Sequence, residues 1–532
     1  MHSATKISVK GHLDLLDRLP RVPADFNRGS VCLKGTRQSI LHEIEAWSEA
    51  VGDKQPRIFW LHGLGGSGKT TVAATVAQWL QDERASLGAS FFFSIDIADR
   101  NSTNKVFSTL AFQLSNKDPC LAQLICEAVE RDKDIGSQSP LNQFYSLLKE
   151  PFKKLAAKVP TRRPIVVVLD AVDECGPDLE VRKEFLSACK EFSDFPPFFK
   201  VLITSRPERD IRSTFDSLGT SVRQCNLSNV SNHVVGSDIA KFIGSRLQEM
   251  AQQYPVSLGA DWPGNAKRQA LVEQSAGLFA WASTAMNFIG DTQFDDHNRR
   301  LQLLLTDRGS ASPAVVLDRL YRRVLEQAYP SSDTNHVSEL RIQQFQDIVG
   351  AIVTAKTPLS ARALGTLLPS PTGGPAIKES VSKVGSLIAI PDSDDDSQQT
   401  LRIIHPSFGD FLTTSTRSSP PFFVDLPTHH GRLAHRCLLQ LHKSLGSPVV
   451  LAGMKVSEEL HYACLFWAEH VRESSDDAAQ QLYADLRLFF TQGSSCSNWI
   501  QVTARLLSAI DDVDVALTVI GEWIAVSHST PP

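Results

Sequence analysis

Apolar positions in the first half of the chain fall into two alternating patterns. Short unbroken runs (Ile58 to Leu61, Ala89 to Phe93, Ile165 to Leu169 and Phe199 to Thr204) are rich in β-branched and aromatic residues. Runs of this length without polar alternation mark strands buried on both faces. Between them the spacing turns helical, most clearly in Val106, Phe107, Leu110, Ala111 and Leu114. Strands alternating with helices predict an α/β domain with a parallel sheet and flanking helices. Ahead of it, residues 1–30, punctuated by Pro20, Pro23 and Gly29, read as a linker. Residues 32–37 (CLKGTR) are expected to open an amphipathic helix that runs through Trp47.

The alternation stops after Cys225. From Ser237 onward the apolar spacing is mainly helical, first in Ile239, Phe242, Ile243 and Leu247, then from Leu271 to Ile289. Beyond Pro313 come two further helical stretches, Leu317 to Ala328 and Leu340 to Val353, then residues 358–368 (PLSARALGTLL). Two short strands follow, Leu387 to Ile390 and Leu401 to Ile404, separated by Asp392, Asp394, Asp395 and Asp396. The acidic run lacks the Gly and Glu spacing of a calcium loop and reads as a solvated hairpin tip. Helices followed by a hairpin wing predict a winged helix. Helical periodicity returns to the end of the chain, best seen in Leu433 to Leu445 and Leu460 to Val471, and no repeat of fixed period emerges. The expected organisation is therefore a segment over 1–30, a nucleotide-binding α/β domain over 31–235, an all-α domain over 236–312, a winged helix over 313–420 and a helical domain over 421–532.

Composition narrows the class. The 532 residues are 42% hydrophobic, enough for several buried cores, and the net charge of −5 offers no basic surplus for nucleic acid. Nine cysteines are scattered without CxxC pairs and read as reduced, mostly buried thiols. No signal-peptide core and no 18-residue apolar window occurs, so the expected location is cytoplasmic with no membrane span.

The chemistry is concentrated at the ends of the predicted strands. Residues 63–71 (GLGGSGKTT) match the phosphate-loop pattern G-x-x-x-x-G-K-S/T, preceded by an apolar strand. Gly63, Gly65, Gly66 and Gly68 let the backbone turn its N–H groups inward around phosphate, with Ser67 and Thr71 completing the cradle. Lys69 is expected to reach the β- and γ-phosphates, and the Thr70 hydroxyl to ligate Mg²⁺. Residues 165–174 (IVVVLDAVDE) end a buried strand in acids: Asp170 is placed to hold Mg²⁺, and Asp173 or Glu174 to orient the attacking water. A strand-end cap is the structural alternative for Asp170. The third strand ends in Thr204-Ser205-Arg206-Pro207, where Arg206 is a candidate γ-phosphate sensor or, alternatively, the partner of a carboxylate.

Taken in order, the loop, the acid cluster, the arginine, the helical domain and the winged helix resemble the NACHT family of signal-transducing P-loop ATPases (the STAND class). The likeness is closest to fungal NOD-like receptor proteins, on residues 32–37 (CLKGTR), 91–94 (FFFS), 276–284 (AGLFAWAST) and 403–412 (IIHPSFGDFL). The resemblance implies a nucleotide-gated switch of innate-immunity type, at rest with ADP or GDP. With ATP or GTP and Mg²⁺ it would oligomerise and engage a protein effector. It implies too that His405 contacts the β-phosphate at rest, a core or capping histidine being the alternative. Phe279 stands where related plant proteins carry a proline over the adenine. An N-terminal effector domain and C-terminal repeats, usual in the family, are not visible here. A metabolic P-loop kinase would need an arginine-rich acceptor lid, which the region after 235 lacks. A DNA-binding regulator would need a basic recognition helix, yet Arg362 is the single basic residue of 358–368.

Overall fold

The computed structural model describes residues 15–506 apart from 96, 161, 177–178, 260, 292–295, 307–311, 330–335, 369–376, 390–399, 447–455 and 492–493. The acidic tip at Asp392 to Asp396 and the last residues of the C-terminal helical segment lie outside the described residues. The chain divides into two compact units, Met1–Ala282 and Ser283–Pro532.

The first unit is built on five parallel strands: β1 (Ile58–His62), β2 (Leu87–Phe92), β3 (Ile165–Asp170), β4 (Phe199–Ser205) and β5 (Val222–Asn226), in the order β2-β3-β4-β1-β5. All residues of β1 to β4 are buried, as continuous apolar runs require when helices cover both faces. The fifth strand alternates only weakly, with Arg223 and Gln224 exposed at the sheet edge, and no apolar run announces it in the sequence. One core cluster packs Val106, Phe107, Leu110 and Leu114 against Phe91, Val167 and Val201. A second packs Ile44, Trp47, Val72 and Val76 against Phe59, Val168 and Leu202.

Four helices matter for the site: α1 (Gln38–Glu49), α2 (Lys69–Asp82), α3 (Val106–Lys117) and α4 (Leu179–Glu191). The first starts at Gln38 because Arg37, its N-cap, takes a left-handed φ of 57°, so residues 32–37 form the approach to the helix rather than its first turn. Part of the stretch read as a linker is packed: Leu16, Leu19, Val22 and Ala24 are buried in the first core. Along the outer side of β2, the Phe92 N–H donates to the Ala24 carbonyl at 2.9 Å. The Gln113 side chain both accepts from the Ser90 N–H at 2.7 Å and donates to the Ser90 carbonyl at 3.0 Å. After β4 come α5 (Arg209–Asp216) and, beyond β5, α6 (Asn232–Gln253), α7 (Asn265–Gln274) and α8 (Phe279–Gly290).

In the second unit, α9 (Pro313–Ala328), α10 (His336–Thr354) and α11 (Ala361–Leu367) precede a two-residue antiparallel hairpin, β6 (Ile388–Ala389) with β7 (Arg402–Ile403), in which Ile388 pairs with Ile403. Then follow α12 (Pro406–Thr413), α13 (Leu426–Leu445), α14 (Glu458–Arg472), α15 (Asp476–Thr491) and α16 (Ser495–Leu506). Arg362 of α11 is held by Glu459, at 3.1 Å, and Glu458, at 3.7 Å. A chain of buried polar groups joins α13 to α14. The Lys356 N–H donates to Tyr462 Oη at 3.1 Å, Tyr462 Oη meets His470 Nε2 at 2.7 Å, His470 Nδ1 meets His430 Nδ1 at 2.8 Å, and His430 Nε2 meets Glu473 at 3.1 Å. With both imidazoles neutral, every link has one donor and one acceptor.

Candidate nucleotide site

The loop between β1 and α2 turns through Gly66 (φ 80°) and Gly68 (φ 91°), backbone conformations that a side chain resists. Gly65 lies against Arg206, whose Cζ would stand 3.5 Å from an added Cβ. The α2 N-terminus at Lys69 carries no side-chain cap, so its first N–H groups and the positive end of its dipole face the loop. Ser67 Oγ is buried and has no hydrogen-bond partner among the described residues. An orphaned hydroxyl beside an uncapped helix start and two left-handed glycines fits a phosphate chain.

Lys69 folds back on this loop. Its Nζ donates to the carbonyls of Gly63 and Leu64, both at 3.0 Å. Burial lowers the ammonium from its ordinary value, and the nearby Asp173 carboxylate opposes that shift. Thr70, the next residue, is exposed and hydrogen-bonds Asp170. Thr71 is half-buried on the same helical turn.

Because β4 lies between β1 and β3, its C-terminal residues reach both the loop and the acids. The Thr204 hydroxyl donates to Asp170 Oδ1 at 2.5 Å and accepts from the Ala171 N–H at 3.0 Å. Burial pushes the Asp170 carboxyl up to about 6, against the hydrogen bonds from Thr204 and Thr70. The Thr70 and Asp170 oxygens therefore already converge, a donor set suited to Mg²⁺. Ala171 has a left-handed φ of 57°, which bends the chain sharply after β3 into the turn Val172–Glu174. That turn aims its two acids differently. The Asp173 side chain, 5% exposed, accepts from the Arg206 N–H at 2.9 Å through Oδ1 and from Arg206 Nε at 3.2 Å through Oδ2. Glu174 is half-buried, and its Oε2 accepts from the Ile95 N–H at 3.1 Å.

The loop residues, Lys69, Thr70, Asp170, Asp173, Glu174 and Arg206 thus come together at the carboxyl ends of β1, β3 and β4, where open α/β sheets bind ligands. His405 belongs to the second unit. There it caps α12, with Nδ1 accepting from the Ser407 N–H at 3.2 Å and meeting Ser407 Oγ at 2.7 Å.

Two arginines at this site are given no role by the sequence, although Arg37 closes the stretch CLKGTR. Arg37, 4% exposed, donates through Nη2 to the Ser67 carbonyl at 2.6 Å and from its N–H to Asp238 at 2.9 Å, while its guanidinium lies 4.7 Å from the centre of the Phe279 ring. The N–H of Ala280, at the start of α8, donates to the Gly66 carbonyl at 3.1 Å. Arg182 grips the acid turn from α4. Its neighbours are 26 or more residues away in one direction and backbone carbonyls in the other, so periodicity is silent about it.

Residues 35–206 match the family model for nephrocystin 3, N-terminal, a span that takes in the loop, the acids and the strand-end arginine. Solved structures similar to the chain include an arginine-to-alanine and a threonine-to-valine variant of RuvB from Thermotoga maritima. Each is 13% identical; they cover 71% and 70% of this chain and 94% of their own, with TM-scores of 0.25 and 0.23. No curated protein matches the chain. The first unit carries a P-loop NTPase-type nucleotide-binding fold, and its nephrocystin-like segment contains the residues of the candidate phosphate site.

Proposed function

We propose that the protein is a nucleotide-driven switch of the NACHT type that binds ATP or GTP with Mg²⁺, hydrolyses it slowly and changes its assembly with the phosphate state. Lys69, Ser67 and the loop N–H groups hold the phosphates, and Thr70 with Asp170 holds the metal, which neutralises developing charge on the phosphoryl oxygens. Glu174, with Asp173 beside it, orients water, and Arg206 reads the γ-position.

The observation that carries this reading is the Asp173–Arg206 ion pair against the phosphate loop. A residue able to read the γ-phosphate is tied to an acid of the hydrolytic turn, so a bound γ-phosphate competes with Asp173 for the guanidinium. Hydrolysis returns the arginine to its partner. Such a two-position element is what a phosphate-gated switch requires. The triphosphate form is expected to self-associate in the cytoplasm and to recruit a protein effector.

The test is to identify the nucleotide that co-purifies with the chain and compare sedimentation with a diphosphate and with a non-hydrolysable triphosphate. The expected result is a larger species with the triphosphate. Bound nucleotide with identical sedimentation in both states would remove the assembly step from the proposal.

A further inference from the structure

Arg182 has no place in the mechanism above, yet its guanidinium is hydrogen-bonded on two opposite sides. From α4 its Nη1 donates to the carbonyls of Asp173, at 3.1 Å, and Cys175, at 3.4 Å. On the other side, Nε donates to Asp210 Oδ2 at 2.7 Å, and Nη2 to Glu208 at 2.5 Å and Asp210 Oδ1 at 3.3 Å. The side chain is 10% exposed. Burial is the largest influence and opposes the charge, but the hydrogen bond to Asp210 and the charges of Cys175, Asp210 and Glu208 together raise the guanidinium's pKa. On Asp210 burial is again the largest influence, and the Arg182 hydrogen bond, the Arg182 charge and the backbone N–H groups of Ile211 and Asp210 together hold its carboxyl below the ordinary carboxylate value.

The two segments it joins are those that handle the γ-position. Asp173 sits in the acid turn, and Glu208 and Asp210 lie two and four residues past Arg206. The carboxylate of Asp173 holds Arg206 while its carbonyl is held by Arg182, closing a ring from the acid turn through Arg206 and the β4 exit back to α4. Neither Lys69, Thr70 nor Asp170 belongs to this ring. The acid turn needs such a fastening: it hangs from Ala171 in a left-handed conformation that a non-glycine residue adopts only under constraint.

We infer that Arg182 is a positioning residue that makes the acid turn and the Arg206 segment one mechanical body, so that loss of the γ-phosphate is registered by both at once. This rests on the switch reading and adds the part that couples its two γ-phosphate elements. The planar guanidinium is what the task requires, since an ammonium cannot span two carbonyls and two carboxylates in opposite directions.

The experiment uses the full chain with Arg182→Ala, Arg182→Lys and the double variant Glu208→Gln/Asp210→Asn, which removes only exposed carboxylates. Hydrogen exchange without nucleotide is read first. Coupling predicts faster exchange at residues 172–175 and 206–210 together in all three variants; loosening confined to α4 overturns it. With nucleotide, kcat should fall about tenfold or more while KM and diphosphate affinity stay within about threefold, and triphosphate preference should shrink. Lysine should not restore turnover, whereas added guanidinium should partly restore it in Arg182→Ala. Equal losses of both nucleotides' affinity, or unchanged kcat, would overturn the inference. Should wild type bind no nucleotide, the switch reading fails, and the exchange result still decides whether the two segments are coupled.

Discussion

Lys69 is held by its own loop, bonded to the Gly63 and Leu64 carbonyls. Phosphate binding trades those two neutral acceptors for anionic ones, and charge-assisted bonds are roughly twice as strong. Lys69→Ala should therefore weaken triphosphate binding by about 100-fold, which corresponds to about 2.7 kcal/mol, while leaving the melting temperature nearly unchanged; calorimetric titration reads the first and thermal unfolding the second. Glu174→Gln should preserve binding and slow single-turnover hydrolysis by about 10²-fold, the usual worth of a positioned base. Unchanged turnover would shift the role to Asp173. The loop and acid residues are legible in the sequence because each sits at a fixed offset from a glycine or a strand end. Arg37 and Arg182 are not, because their meaning comes from partners such as Asp238, 201 residues away, and from backbone carbonyls that no composition reveals.

Among the elements, the four apolar strands are announced by their own composition, and their alternation with helices announces the parallel sheet. The order of the strands is not, and it is the order that matters: β4 between β1 and β3 brings Thr204 to Asp170 and Arg206 to the loop. The fifth strand escapes notice because an edge position lets Arg223 and Gln224 stay polar. In the second unit the pairing of α13 with α14 sets a pH limit. Burial lowers the His430 imidazole to about 4 and holds the His470 imidazole well below its ordinary value; Glu473 pulls His430 the other way, and the Lys356 ammonium adds to the lowering of both. Glu469 also faces Lys356, at 3.6 Å. Unfolded histidines bind protons near 6.5 and the folded pair does not, so their contribution is complete above that pH and is lost as pH falls toward 4. A second proton would also leave two donors facing each other at Nδ1. Denaturant unfolding of the second unit should show stability falling by on the order of 2 kcal/mol between pH 6.5 and 4. Glutamine at 430 and 470 should flatten that slope.

At the scale of the whole molecule, assembly needs surfaces that do not stick prematurely, and a sheet edge is the most hazardous of these. The outer side of β2 is already occupied, by the Ala24 carbonyl at Phe92 and by the Gln113 amide at Ser90. Residues 16–24 thus act as a guard rail on the nucleotide-binding sheet, although the family match begins only at Gly35. A chain cut to start at that family boundary would keep every residue of the phosphate site and lose the rail, baring a strand edge together with the apolar surface under Leu16, Leu19 and Val22. It should bind nucleotide when fresh yet scatter light increasingly with time and concentration, in either nucleotide state. The proposed nucleotide-controlled association would then depend on a short stretch of chain far from the chemistry, whose work is to keep the sheet from finding partners of its own.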